Sequence, residues 1–192
     1  MLNRENAVQL LKDDKSEQYN EITIHEIPFV NKLNLRLDLN NKKIISKCKK
    51  VLENLLHFQS NTYTQNKNLK IIWLGPNEWL IVSREKNDLL QKLKREIGDA
   101  EASITDTSDN RTIIQVSGKK LITLLSKFLV VNLDKNLGSK YSCVQTLFVK
   151  VPILLTRNND NNQIPSVDIY TNRSHANYIY KLLVDGTKNL NF

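Results

Sequence analysis

The sequence predicts an α+β fold, in which antiparallel sheets carry helices packed on their faces. Apolar residues alternate with polar ones in segments that come in pairs, as is typical of half-buried strands. One segment of helical apolar spacing follows most pairs, so the order strand, strand, helix recurs along the chain. No strand-to-helix turn carries a glycine-rich phosphate loop, which argues against a parallel doubly wound sheet.

The first third of the chain contains the strongest predicted helix. Residues 1–20 are polar, and we expect a loosely ordered lead-in with a short helix around residues 7–11. Alternating apolar positions predict strands over residues 21–29 and 33–39. Residues 61–68 are predicted to be a polar loop. The helix precedes that loop, and its apolar stripe consists of Ile44, Ile45, Cys48, Val51, Leu52, Leu55 and Leu56.

The next segments repeat this order around a well-defined turn. Strands are predicted over residues 70–74 and 79–83, joined by Gly75–Pro76–Asn77–Glu78, whose residue types favour a tight turn. A helix over residues 88–97 follows. Gly98 is placed to end it, since glycine is favoured just past a helix C-terminus.

A third repeat occupies residues 102–128. Two strands, over residues 102–107 and 111–116, flank a polar turn at residues 108–110. Ser117 is predicted to cap the following helix, because serine side chains accept hydrogen bonds from the first free N–H groups. The inward positions of that helix are Leu121, Leu124, Leu125 and Phe128.

The C-terminal segments complete the domain. Residues 143–155 form a long apolar stretch, in which Pro152 indicates either two strand segments or an edge position. A strand over residues 167–170 and a helix over residues 173–184 follow, with Gly186 predicted to close the helix.

The pattern indicates one domain over residues 21–186, or one built from two similar halves, followed by a tail over residues 187–192. The formal net charge of +8 is spread along the chain, so it does not choose between nucleic acid, an anionic ligand and an acidic protein partner. No signal-peptide pattern or apolar run of membrane-spanning length is present. We therefore expect a cytoplasmic protein without membrane contact.

The sequence contains no recognisable set of catalytic residues. Cys48 and Cys143 are far apart and form no metal-binding motif, so two free thiols and no metal are expected. The three histidines, His25, His57 and His175, lack a neighbouring nucleophile. Asp106 and Asp109 flank a turn, where aspartate commonly bonds the backbone. We expect no catalytic residue in this chain.

Two groups of residues could bind a partner or ligand, but each also has a simpler structural explanation. The lysines of residues 42–50 could contact phosphate, but no aromatic residue is interleaved with them, so a solvated helix face is the preferred interpretation. Trp73 and Trp79 bracket the Gly75–Pro76 turn. They could be core residues, or anchors for a partner or a flat ligand.

Three sets of motifs follow one another over residues 20–185. The turn of residues 73–80 has the pattern LGPxEWL. Residues 106–118 have the pattern D-x-S-x-x-R followed by V-x-G, with Asp106 at the acidic position. Residues 143–154, 168–170 and 173–176 together carry a QT, V-P-x-L and R-S-x-A run. In this order the motifs resemble those of the gamma subunits of heterotetrameric sarcosine oxidase.

This resemblance implies a fold similar to the folate-binding domain of aminomethyltransferases. It implies a role as a non-catalytic subunit of sarcosine oxidase, which demethylates sarcosine oxidatively to glycine and passes the one-carbon unit to tetrahydrofolate. The resemblance also implies packing on the alpha subunit, with beta and delta subunits in the complex. The FAD, FMN, NAD and zinc of such a complex belong to other subunits.

The sequence departs from a working transferase, because neither the acidic catalytic residue nor the C-terminal glycine-rich signature can be placed. Four residues remain as candidate contacts to a partner or ligand: Trp73, Trp79, Arg111 and Arg173. One alternative is a stand-alone tetrahydrofolate-binding one-carbon protein of the same fold. A nucleic-acid-binding module is motivated only by the charge, and we expect no nucleic-acid partner.

Overall fold

The computed structural model describes residues 5–8, 17–19, 21–84, 88–158, 164–188 and 190. The chain divides into two compact units. The first unit comprises the described parts of Met1–Phe29 and Asn110–Phe192, and the second comprises those of Val30–Asp109. The second unit is therefore inserted into the sequence of the first.

Strands and helices alternate within these residues. The strands are β1 (Glu17–Tyr19), β2 (Ile22–Ile27), β3 (Asn31–Leu37), β4 (Tyr63–Gln65), β5 (Leu69–Gly75), β6 (Glu78–Ser83), β7 (Ala102–Asp106), β8 (Arg111–Gly118), β9 (Cys143–Phe148), β10 (Val151–Arg157) and β11 (Ser166–Asn172). The helices are α1 (Lys42–Val51), α2 (Leu89–Ile97), α3 (Leu121–Ser126), α4 (Leu133–Asn136) and α5 (Arg173–Thr187).

The second unit is a five-stranded antiparallel sheet in the order β4-β5-β6-β3-β7, with α1 and α2 beside it. Alternate residues of β3 point into its core, as the two-residue period of the sequence predicted. They pack there against apolar residues of both helices. The fully buried members of this core include Leu35, Cys48, Ile71, Trp79, Ile81 and Leu93.

The first unit is a six-stranded antiparallel sheet in the order β1-β2-β8-β11-β10-β9. Its core lies between one face of this sheet and apolar residues of α3, α4 and α5. The fully buried members include Ile24, Ile114, Leu124, Phe148, Ile169 and Ile179. The α+β class with antiparallel sheets and helices on their faces is thus confirmed in both units.

The N-terminal half contains two errors of prediction. The helix predicted to extend through Leu56 ends at Val51, because Glu53 and Asn54 take positive φ angles of 52° and 62° that no right-handed helix accepts. The segment predicted as a polar loop contains β4, which pairs with β5 and buries Tyr63. The short helix predicted around residues 7–11 lies, beyond Val8, outside the described residues.

Residues 108–110 connect two sheets. β7 pairs with β3 in the second unit, whereas β8 pairs with β2 and β11 in the first. The predicted cap of the next helix was wrong, since Ser117 lies within β8 opposite Ser166. Helix α3 begins instead after Lys120, with no side-chain cap.

The two glycines predicted to end helices behave differently. Gly98 follows α2 with a φ of 54°, and its N–H donates to the Lys94 carbonyl at 3.0 Å, as expected for a helix end. Gly186 lies inside α5, which continues to Thr187, so the prediction that it closes the helix was wrong. A Cβ at Gly186 would lie 2.7 Å from the Phe128 ring, so close packing explains the glycine.

Pro152 lies near the start of β10, opposite Leu147 of β9. The pairing of β10 with β11 begins two residues later, at Leu154. Both parts of the prediction hold at this position, because two strand segments are present and Pro152 has a strand partner on one side only.

Candidate functional site

Trp79 is a core residue of the second unit. Its side chain is fully buried, and its indole N–H donates to the His57 carbonyl at 2.7 Å. Trp73, opposite it on β5, is half-buried and packs at the margin of the same core. Of the two predicted contact residues, only Trp73 therefore presents surface of its own.

Arg111 and Arg173 lie close together in the first unit. Arg111 begins β8 opposite Asn172, and the Arg173 backbone N–H donates to the Asn110 carbonyl at 2.9 Å. The Arg173 guanidinium donates to the Glu5 carbonyl at 2.7 Å. Arg173 thus contacts this chain's own N-terminal segment, a role that the sequence analysis missed.

The same N-terminal segment is held at a second point. The carboxylate of Glu26 accepts hydrogen bonds from the backbone N–H groups of Ala7 and Val8, each at 3.0 Å, and from the hydroxyl of Thr112. Charge-assisted bonds of this kind are stronger than neutral ones. Glu26 and Arg173 together fasten residues 5–8 to the sheet of the first unit.

A row of polar residues crosses the middle of the six-stranded sheet. His25, Gln115, Asp168 and Thr156 lie opposite one another on four neighbouring strands, so they share one face. The Asp168 carboxylate accepts from the Gln115 amide at 2.8 Å and from the Asn158 amide at 2.7 Å. Asp168 is therefore a buried carboxylate that accepts hydrogen bonds from two neutral amides.

His25 is the titratable end of this row. Burial lowers the pKa of His25, and the attraction of the Asp168 carboxylate opposes part of that effect. The Nδ1 atom of His25 is buried, and none of the described residues forms a hydrogen bond with it. The row contains no activated nucleophile.

An open groove runs along α1 in the second unit. It has a volume of about 580 Å³ and is lined by Leu39, Lys42, Ile45, Ser46, Lys49 and Phe58. The four helical residues are spaced i, i+3, i+4 and i+7, which places them on one face. We call this surface the α1 groove.

The aromatic wall of the α1 groove is fixed by the core beneath it. Phe58 is 43% exposed and packs edge-on against Trp79, with ring centroids 5.7 Å apart. The ammonium of Lys49 lies over the same ring, 5.1 Å from its centroid. Trp79 therefore supports the surface through Phe58.

The α1 groove was not predicted from the sequence, for two reasons. Ile45 was predicted to face inward, and it packs against the core, but it is only half-buried and also lines the groove between Lys42 and Lys49. No aromatic residue lies among these lysines in the sequence, because Phe58 follows the helix by seven residues. The i, i+3, i+7 spacing of Lys42, Ile45 and Lys49 was the available signal.

The two cysteines are free thiols, as predicted, and both are buried. Burial, with a contribution from nearby Glu96, raises the pKa of the Cys48 thiol to about 11. Such a thiol is protonated at neutral pH and unreactive.

Among the described residues, no three His, Cys, Asp or Glu side chains come together in a way that could hold a metal ion. None of the helices described is both long and apolar enough to cross a membrane.

Comparison by sequence gives a consistent set of relatives. No protein-family model matches the chain. Sarcosine oxidase subunit gamma of Corynebacterium sp. (strain P-1) is 27% identical over 92 residues, which cover 48% of this chain and 45% of that protein. The corresponding subunit of an Arthrobacter species is 26% identical over the same shares. The matched stretch thus spans about half the length of these curated relatives.

Comparison by structure covers nearly the whole chain. A chain of the heterotetrameric sarcosine oxidase from Corynebacterium sp. U-96, in complex with pyrrole 2-carboxylate, matches with a TM-score of 0.85, 20% identity and coverage of 98% of this chain and 97% of that one. The aminomethyltransferase T of the glycine cleavage system from Bartonella henselae matches with a TM-score of 0.63 and 12% identity, over 86% of this chain and 46% of that one.

The chain therefore has the α+β fold of that sarcosine oxidase chain, which is also found in part of the aminomethyltransferase T. In sequence it is similar to sarcosine oxidase gamma subunits, and the resemblance indicated by the motifs is confirmed.

Proposed function

We propose that this chain is the gamma-type subunit of a heterotetrameric sarcosine oxidase, and that it packs against the large alpha subunit. The observation that carries the proposal is the match of nearly the entire chain to a chain of such an oxidase, with a TM-score of 0.85. Sequence similarity to named gamma subunits supports the same assignment. The assembly would demethylate sarcosine to glycine and pass the one-carbon unit to tetrahydrofolate.

In this proposal the chain is structural. In the row of polar residues from His25 to Thr156, the Asp168 carboxylate already accepts hydrogen bonds from two amides of this chain. Neither cysteine is exposed for nucleophilic attack. The flavins, NAD and zinc of the complex would be bound by other subunits, and this chain would bind no cofactor. The assembly would be cytoplasmic.

The stand-alone tetrahydrofolate-binding alternative is not favoured, because the relatives found by sequence are all named as subunits. Isothermal titration calorimetry of the isolated chain with tetrahydrofolate distinguishes the subunit from the stand-alone folate-binding protein. A subunit with no folate site of its own gives no heat of binding at millimolar ligand.

Co-expression tests the assignment directly. The chain would be produced with an affinity-tagged alpha subunit encoded in the same genome. We expect stoichiometric co-purification that survives gel filtration. An alpha subunit recovered without this chain, at expression levels where both are folded and soluble, would contradict the assignment.

A further inference from the structure

We propose that the α1 groove is a docking site for a protein segment that carries an apolar anchor side chain between two carboxylates. This inference rests on the proposed function, since the segment would belong to the alpha subunit. It goes further by naming the surface of this chain that is used and the chemistry of the partner segment.

The shape of the groove fits an apolar anchor. Leu39 and Phe58 are 40% and 43% exposed, and half-buried Ile45 lies between Lys42 and Lys49 on the α1 side of the groove. Ser46 is the small neighbour that leaves the groove open. A large side chain entering this space would remove apolar surface of both partners from water. Phe58 needs little ordering to receive it, because Trp79 and Lys49 already fix its ring.

The positive charge of the groove favours a partner segment with carboxylates on both sides of its apolar anchor. Both charged residues lining it, Lys42 and Lys49, are cations. Their spacing of seven residues in the helix places them about 10 Å apart along the axis, so one lies on each side of Ile45. Within the described part of the chain, no carboxylate pairs with either one, whereas Lys47 on another face pairs with Glu96 at 3.5 Å. Two carboxylates about 10 Å apart would complement this arrangement.

A second copy of this chain is a poor occupant. Its net charge is +8, and joining two identical α1 faces would bring four groove lysines together. Self-association through this surface would therefore be opposed by like-charge repulsion.

The helix provides a matched control. Lys43 and Lys50 have the same seven-residue spacing on α1, are exposed and lie outside the groove. The double variants K42E/K49E and K43E/K50E change the net charge equally, each with one substitution in the first turn and one in the last. Any effect common to both variants is therefore long-range electrostatics or helix stability.

Affinity for the purified alpha subunit would be measured by biolayer interferometry at 150 mM salt, with thermal unfolding of each variant as the folding check. We expect K42E/K49E to weaken binding at least roughly tenfold, and K43E/K50E to weaken it less than roughly threefold. The variant S46Y, which fills the groove from an exposed helical position without changing charge, should weaken binding to a similar extent as K42E/K49E.

Several results would overturn the inference. If the wild-type chain binds the alpha subunit and neither K42E/K49E nor S46Y affects it, the groove is not the docking site, while the proposed function stands. If K42E/K49E and K43E/K50E weaken the affinity equally, the effect is due to overall charge and the groove is not a specific docking site. Binding of a 20-nucleotide single-stranded DNA that depends on Lys42 and Lys49, but not on Lys43 and Lys50, would assign the groove to nucleic acid. A wild-type chain that fails to bind the alpha subunit would remove both proposals.

Discussion

At the scale of single residues, Trp79 and Phe58 are in contact but have different roles, one in the core and one at the surface. Trp79 is completely buried and donates a hydrogen bond to the His57 carbonyl, whereas Phe58 rests on it and faces the groove. The sequence marked both tryptophans as either core or contact residues. It could not decide between them, because burial depends on which strands pair.

Replacing Trp79 by phenylalanine removes the indole N–H bond and leaves a void under Phe58. We expect W79F to lower the free energy of unfolding by roughly 2 kcal/mol. Half-buried Trp73 provides the control, and W73F should cost less. Urea unfolding followed by circular dichroism measures both, and an equal or larger cost for W73F would contradict the assignment of Trp79 to the core.

His25 should make stability depend on pH. Burial lowers its pKa in the folded chain below the ordinary value of 6.5, so the unfolded chain takes up the proton first as pH falls. The stability contributed by neutral His25 is therefore complete above pH 6.5 and is lost as pH falls from there towards the folded pKa.

The variant H25Q retains a polar side chain but no titration in this range. The wild type should lose more stability than H25Q between pH 7 and pH 5.5, as measured by urea unfolding at each pH. An identical loss in both proteins would show that His25 does not titrate differently on folding.

At the scale of elements, strands were predicted better than helix ends. The alternation at Leu33, Leu35 and Leu37 identifies β3 because side chains of a strand alternate between faces. The end of α1 was missed because Leu55 and Leu56 continue the helical spacing although the backbone reverses at Glu53 and Asn54. The apolar pattern reports burial, and Leu56 is buried without being helical.

Helix α5 carries the clearest prediction at this scale. An alanine Cβ at Gly186 would lie 2.7 Å from the Phe128 ring and 2.8 Å from Leu124, so the helix would have to move. We expect G186A to lower the free energy of unfolding by about 1–2 kcal/mol, after the gain of alanine in helix propensity is subtracted.

The double variant F128L/G186A separates packing from backbone effects. A smaller side chain at residue 128 relieves the contact, so the cost of G186A should shrink in that background. A cost that is the same in both backgrounds would show that the contact with Phe128 is not the cause.

At the scale of the whole chain, the recurrence of strand pairs and helices predicted the fold class but not the assignment of strands to sheets. β7 and β8 adjoin one short turn, yet they belong to different units, because their partners come from distant parts of the sequence. The α1 groove was not predicted because Phe58, which forms its aromatic wall, lies beyond the end of α1 rather than among the lysines. Motif order along the chain was informative where local patterns were not.

We propose above that this chain serves as one subunit of a larger oxidase. Native mass spectrometry of the co-expressed subunits, sprayed from volatile buffer, is the sharpest test of that proposal. We expect an intact assembly whose mass includes one copy of this chain for each alpha subunit, and an alpha-subunit complex lighter by one copy when this chain is omitted. An assembly whose mass is the same with and without the chain would show that the chain is not a subunit.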